Sequence, residues 1–183
     1  METNSNFKEW FKNSKVVGKK KEPIKVFHGT IEEFDVFNTE PYDRSFSGLG
    51  ATAIGSHFSE SLEIAKFYPF GKEDDSNKKV IEVYLSIQNP KKYRTIQALQ
   101  NELLQFYKDN DYLTLSPSKR LDVVKEFKRG LIEQGYDGIT YLEGPPHAIK
   151  QNKERVWVAF YPQQIKSTSN KGLFSQTNPN INE

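Results

Sequence analysis

The sequence predicts an α+β domain, and three observations carry that prediction. Residues 80–87 (VIEVYLSI) alternate strictly, with Val80, Glu82, Tyr84 and Ser86 facing one way and Ile81, Val83, Leu85 and Ile87 the other, which is the period of an extended strand. Two longer stretches carry apolar residues at three-and-four spacing instead: Ile96, Leu99, Leu103 and Phe106, then Leu121, Val124, Phe127 and Leu131. Strand signals outnumber these long helices and do not alternate regularly with them, unlike a fold built from βαβ units. No internal repeat and no second domain is visible.

The bulk properties suit one domain with a real core. The chain has 183 residues, of which 36% are hydrophobic and 13% aromatic, although its mean hydropathy of −0.73 is polar. Thirteen Phe and nine Tyr against one Met point to a core built on aromatics. A net charge of +2 neither demands nor excludes nucleic acid, because one face can be basic while the whole is balanced. There is no cysteine, which removes disulfides, thiolate nucleophiles and thiolate zinc sites together. The three histidines, His28, His57 and His147, would need carboxylates to make a metal site, and no metal is expected. The start of the chain is polar and no apolar run approaches the roughly 20 residues of a membrane span, so a soluble, cytoplasmic protein is expected.

Residues 4–13 read as an amphipathic helix with Phe7, Trp10 and Phe11 on one face, either packed on the domain or turned to a partner. Residues 15–22 form a charged connector in which Lys19, Lys20 and Lys21 are either solvated or a contact for nucleic acid. The division expected is 1–22 as this appendage, 23–167 as the domain, and 168–183 as a flexible tail, Asn, Ser and Pro rich toward its end and frayed. Residues 23–27 make an apolar run that passes straight into His28-Gly29-Thr30, a strand end that opens a cleft. Phe34, Val36 and Phe37 add a second apolar patch.

From 38 to 56 the chain is loop-like, punctuated by Pro41, Gly48, Gly50 and Gly55 and carrying Tyr42, Asp43, Arg44 and Phe46. A loop this long is either a lid over a ligand or an insertion. His57-Phe58-Ser59 is extended, with Ser59 as N-cap of a helix to Tyr68 that buries Leu62, Ala65 and Phe67 or Phe70. After a charged turn at 71–79, the strand 80–87 ends at Asn89-Pro90. Ser116-Pro117 opens the second long helix with an N-cap and an N1 proline, and Gly135 stops it. Gly135-Tyr136-Asp137-Gly138 then turns into a strand at 139–142, and beyond a loop with Pro145-Pro146 a strand at 155–160 runs to Tyr161-Pro162.

Five of these pieces, in this order, resemble the ADP-ribosyltransferase superfamily, in the branch shared by diphtheria toxin and poly(ADP-ribose) polymerases. They are His28-Gly29-Thr30, Gly55-Ser56-His57-Phe58-Ser59 with Tyr68 eleven residues after His57, the strand at 80–87 with Asn89-Pro90, Gly-Tyr-Asp-Gly at 135–138, and the run from Phe160 to Ser167. The resemblance covers about 23–167 and is closest to small domains of phages and mobile elements. It implies a split, mainly antiparallel sheet with flanking helices. It also implies that His28 hydrogen-bonds the adenosine-side ribose of NAD, that Gly29 holds the nicotinamide amide through its backbone, and that Thr30 belongs to the same NAD-binding strand end. His57 stands where the family has Tyr, followed by Phe58 and Ser59, and Tyr68 fits the aromatic that stacks on the nicotinamide ring. The family's glutamate falls at Val156, four residues before Phe160; Glu154, two residues earlier on the same strand face, is the nearest carboxylate and Glu143 a second candidate. Gln164 matches a glutamine with a structural role.

A carboxylate is sought because breaking the nicotinamide–ribose bond passes through an oxocarbenium-like state, which an anion near the ribose hydroxyls stabilises. The activity implied is mono-ADP-ribosyl transfer, a pentosyl transfer from NAD to a protein or nucleic-acid acceptor with release of nicotinamide. Its setting would be that of a toxin, phage or phage-defence effector, with an antitoxin or inhibitor protein as a further partner. Two other classes stay open. One is a catalytically weak or silent NAD-fold binding or inhibitor module; the other is a metal-free ribonuclease using His28, His57 and a carboxylate as acid and base.

Overall fold

The computed structural model describes residues 4–41, 51–67, 78–107, 114–143 and 153–183. Among them, seven strands form one sheet: β1 (Val26–Thr30), β2 (Ser56–Ser59), β3 (Lys79–Leu85), β4 (Pro90–Lys92), β5 (Gly138–Glu143), β6 (Glu154–Ala159) and β7 (Ile165–Ser167). Their spatial order is β4-β5-β6-β2-β1-β3-β7, and every neighbouring pair is antiparallel except β4 with β5. Four α-helices flank them: α1 (Ser5–Phe11), α2 (Leu62–Phe67), α3 (Ile96–Phe106) and α4 (Pro117–Glu133). The α+β class with a mainly antiparallel sheet is therefore the observed architecture.

The sheet nearly divides in its middle. β1 pairs with β3 from Val26↔Val83 through Thr30↔Lys79, and β2 pairs with β6 from Ser56↔Ala159 through Ser59↔Val156. Between β1 and β2 the register holds only Phe27↔Ser59. Strand alternation gives each half two faces. On one face Ile139, Tyr141, Val156, Val158 and Phe160 pack against Leu99 and Leu103 of α3 and Val124, Phe127 and Leu131 of α4. On the other, Val26, Phe58, Val83, Leu85, Trp157 and Ile165 pack with Phe37 and Ile181. Burying each large apolar side chain of this kind contributes about 1.5–3 kcal/mol.

Local chemistry accounts for the element ends. Ser116 Oγ accepts from Lys119 N at 3.4 Å with Pro117 following it, and Gly135 takes a φ of +86° that a side chain rarely tolerates. Asp137 of the Gly-Tyr-Asp-Gly turn accepts from Gln88 N and Asn89 N, both at 2.7 Å, and so staples the turn onto the end of the β3 segment. Gln164 accepts from Phe160 N at 3.0 Å and Tyr161 N at 2.9 Å and donates to Asp137 O at 2.8 Å, a structural role.

Several expectations are corrected. The tail expected to be frayed is fastened: Ile181 is buried at 5% exposure, and the wholly buried Lys166 donates to Asn178 O at 2.8 Å and Asn180 O at 2.7 Å. Of the two readings of the N-terminal helix, the one observed is packing on the domain, with Phe7, Trp10 and Phe11 buried against Phe174 and Tyr84. Helix α2 begins at Leu62 with Ser61 as its cap, Ser61 Oγ accepting from Ile64 N at 3.4 Å, while Ser59 closes β2 and its Oγ accepts from Ser61 N at 3.0 Å. The helix buries Ile64 and Ala65 and leaves Leu62 and Phe67 exposed. β3 stops at Leu85, short of Asn89-Pro90, and Pro90 instead begins β4, the parallel edge strand.

Candidate functional site

His28 stands at the point where β1 and β2 part. One register step beyond the Phe27↔Ser59 pair, its imidazole Nδ1 lies 2.8 Å from the main-chain oxygen of His57, so a side chain takes over where the ladder stops. A carbonyl oxygen only accepts, so Nδ1 carries the proton, and in the neutral ring Nε2 is the acceptor. The ring is walled by Phe37, Phe58 and Phe34 at centroid distances of 5.0, 5.5 and 6.3 Å. These contacts fix its plane and leave it half-buried. Thr30 is buried at 8% exposure and its Oγ1 accepts from Glu32 N at 3.0 Å. Beside it, Lys79, its register partner, forms an exposed ion pair with Glu33, which holds the Glu33 carboxyl below its ordinary range.

The residues singled out from the sequence divide between the two faces. Val26, His28 and Thr30 share the face of Phe58, whereas Gly29 shares the face of Ser59, His57 and Val158. His57 places Nδ1 3.1 Å from Gly55 O and its ring 6.4 Å from that of Tyr141. The two imidazoles are thus not brought together as an acid–base pair. Phe58, at 1% exposure, lies in the core and supports His28. Tyr68 lies outside the described residues.

The carboxylates are brought together. Glu154 opens β6, Glu143 closes β5, and the two are direct register partners. Alternation puts both on the face of Val156, Val158 and Tyr141, the face that also carries Ser59 and Gly29. Val156, where the resemblance drawn from the sequence would place a glutamate, is 3% exposed and part of the core. Arg155 points away from Glu154: its Nε is 4.0 Å from Glu60 Oε1, and its guanidinium lies 5.8 Å from the Trp157 ring centroid.

The base of the loop at 38–56 is tied, although its residues 42–50, including Tyr42, Asp43, Arg44 and Phe46, lie outside the described part. Ser56 Oγ donates to Asn38 O at 3.0 Å, closing the two ends on each other. Lys128 of α4, 4% exposed, donates to Thr39 O at 2.8 Å and Phe160 O at 3.1 Å and sits 3.7 Å from Glu40 Oε1. Burial pushes its ammonium below the ordinary lysine range, with Glu40 opposing.

Reading the sequence missed the Phe34–Phe37 wall as part of the site and missed Lys128 altogether. The aromatic patch was the visible signal for the first; one lysine in an amphipathic helix gives none for the second. A cavity of about 440 Å³ lined by Trp10, Lys12, Asp137 and Tyr161 lies at the other end of the sheet, beside Ser86, and its Asp137 carboxylate is already engaged by main-chain N–H groups. Among the described residues no cluster of three His, Asp or Glu side chains forms a metal site, and no helix is long and apolar enough to cross a membrane.

No curated protein and no solved structure matches the chain. One family does, over residues 19–174, a span holding β1 to β7, the His28 strand end and both carboxylates. By that match the chain belongs to the family described as ADP-ribosyltransferase in polyvalent proteins.

Proposed function

We propose that this chain is a mono-ADP-ribosyltransferase that moves ADP-ribose from NAD to a macromolecular acceptor and releases nicotinamide. The observation that carries the reading is His28, whose Nδ1–H is engaged by the His57 carbonyl at the parting of the sheet, so that Nε2 can accept from a ribose hydroxyl. Gly29 offers main-chain groups without a Cβ in the way. Tyr68 would supply an aromatic face to the nicotinamide. Glu154, or its partner Glu143, would stabilise the positive charge developing on the ribose as the nicotinamide bond breaks. The tied loop at 38–56 would cover the donor.

The acceptor is a protein or a nucleic acid. The setting in the same proposal is cytoplasmic, that of a toxin, phage or phage-defence effector restrained by a partner protein. One observation favours a second reading. Val156, where the resemblance would place the glutamate, is buried, which would make the domain a slow or silent NAD-binding module unless Glu154 or Glu143 takes over.

Incubation with labelled NAD and cell lysate tests both. Label on a macromolecule supports transfer, and nicotinamide release without label indicates a glycohydrolase. NAD binding with neither leaves the silent module, and RNA cleavage without NAD would overturn both.

A further inference from the structure

The closing segment 168–183 reaches the back of the candidate site. Its fastening starts at β7, where the wholly buried Lys166 donates to the carbonyl oxygens of Asn178 and Asn180. Ser167 N then donates to Ile181 O at 2.8 Å, with Asn170 Nδ2 on the same oxygen at 3.2 Å. Through the amide of the same residue, Ile181 N donates to Asp35 O at 2.8 Å, and Asn182 Nδ2 donates to Asp35 Oδ1 at 2.9 Å.

Asp35 sits between Phe34 and Phe37, the two rings that meet edge to face at 4.7 Å and wall His28. The Ile181 side chain is buried in the same cluster as Phe37 and Phe58. Residues 31–38 form no helix or strand, so no sheet ladder or helical repeat sets their shape. The contact from 181–182 supplies what regular hydrogen bonding does not.

We propose that residues 178–182 are a positioning strap. Through Asp35 they hold the Phe34–Phe37 wall against His28, and thereby set the orientation of the imidazole that meets the ribose of the donor. This rests on the NAD reading given above and adds a segment to it. The family match ends at residue 174, so the strap residues lie beyond it. On this reading donor affinity in this chain is set partly by residues outside the matched span.

The test uses the full chain and a surface swap that spares the core. Asn182→Asp sets a carboxylate against that of Asp35, and adding Asp35→Asn restores an amide–carboxylate pair with its polarity reversed. Ile181→Ala loosens the same contact from the apolar side. The readouts are NAD affinity by calorimetry, the ¹⁵N signals of the His28 ring, and thermal stability.

Asn182→Asp and Ile181→Ala should each weaken NAD binding by about threefold to tenfold, the size of one modest interaction removed. Both should shift the His28 ring signals, and the double swap should restore affinity and signals together. Unchanged His28 signals and unchanged affinity in both single variants, with only the melting temperature lowered, would reduce the strap to packing and overturn the proposal. If the unaltered chain binds no NAD, the functional reading fails by itself, and the His28 signals still decide the strap.

Discussion

On the proposed reading the two nitrogens of His28 have separate tasks, and a pair of substitutions can take them apart. An asparagine amide can place its N–H near the position of Nδ1, and a glutamine amide can place its oxygen near that of Nε2. His28→Asn keeps a donor for the His57 carbonyl, now 2.8 Å from Nδ1, and loses the acceptor facing the donor nucleotide. His28→Gln does the reverse. A neutral hydrogen bond contributes about 0.5–1.5 kcal/mol net, whereas leaving a carbonyl unmet costs about 1–3 kcal/mol when buried, the upper bound for the half-buried one of His57. His28→Gln should therefore lower unfolding stability by about 1–3 kcal/mol, and His28→Asn by less, chiefly because an amide packs more weakly than an imidazole against the rings of Phe37 and Phe58. NAD affinity should change in the opposite order. It should fall about tenfold in His28→Asn, the equivalent of about 1.4 kcal/mol, and by less in His28→Gln. Urea denaturation gives the first quantity and calorimetric titration the second. The crossing of the two orders is the diagnostic. If His28→Asn bound NAD normally while His28→Gln lost binding, Nε2 would not be the contact atom and the tautomer argument would be wrong.

Three further outcomes follow from the described geometry. Glu154→Gln should lower transfer at least about a hundredfold with NAD affinity within about threefold, as measured with labelled NAD; unchanged activity would move the role to its register partner Glu143, and Glu143→Gln would then show the loss. Gly138→Ala would put a Cβ 2.7 Å from Val158 O and 2.9 Å from Ile87 Cγ2, so it should destabilise the fold by about 1–3 kcal/mol in urea titration. Lys128 has its folded-state pKa pushed below the unfolded value of 10.5 by burial, so the unfolded chain binds more protons between the two values. Stability in the original chain should thus rise with pH across that window relative to Lys128→Met, and parallel unfolding curves up to pH 10.5 would count against it.

Much of the frame was legible because it rests on periodicity. The alternation of residues 80–87 became β3 over Lys79–Leu85, and the two apolar stripes became α3 and α4 with the expected Ser116 cap and Gly135 stop. β4 was not legible because Pro90 reads as a terminator. Its missing N–H is harmless at the start of a strand on the sheet edge. The fastening of 168–183 was hidden for another reason: it runs through main-chain carbonyls and one buried lysine, which composition does not register. In the site, residue types were readable and register was not. Nothing in the spacing of His28 and His57 says that their rings lie on opposite faces, or that Glu143 and Glu154 are opposed across two strands.

The tie between Asn38 and Ser56 makes part of the intervening loop an exchangeable cassette. Its two ends are held on each other by one hydroxyl, and its entry is gripped by Lys128. Its exit is committed to the core, where Ala51, Ala53 and Ile54 are buried with residues of α3 and α4, so the exchangeable part is the sequence before Ala51. With the ends fixed, doubling the loop costs only about 0.6 kcal/mol in closure entropy. New sequence can therefore be trialled between Pro41 and Ala51 at small risk to the sheet. On the proposed reading of the loop as a cover, a lineage, or an engineer, could change what the site admits while leaving the His28 imidazole, its carbonyl and its aromatic wall as they stand.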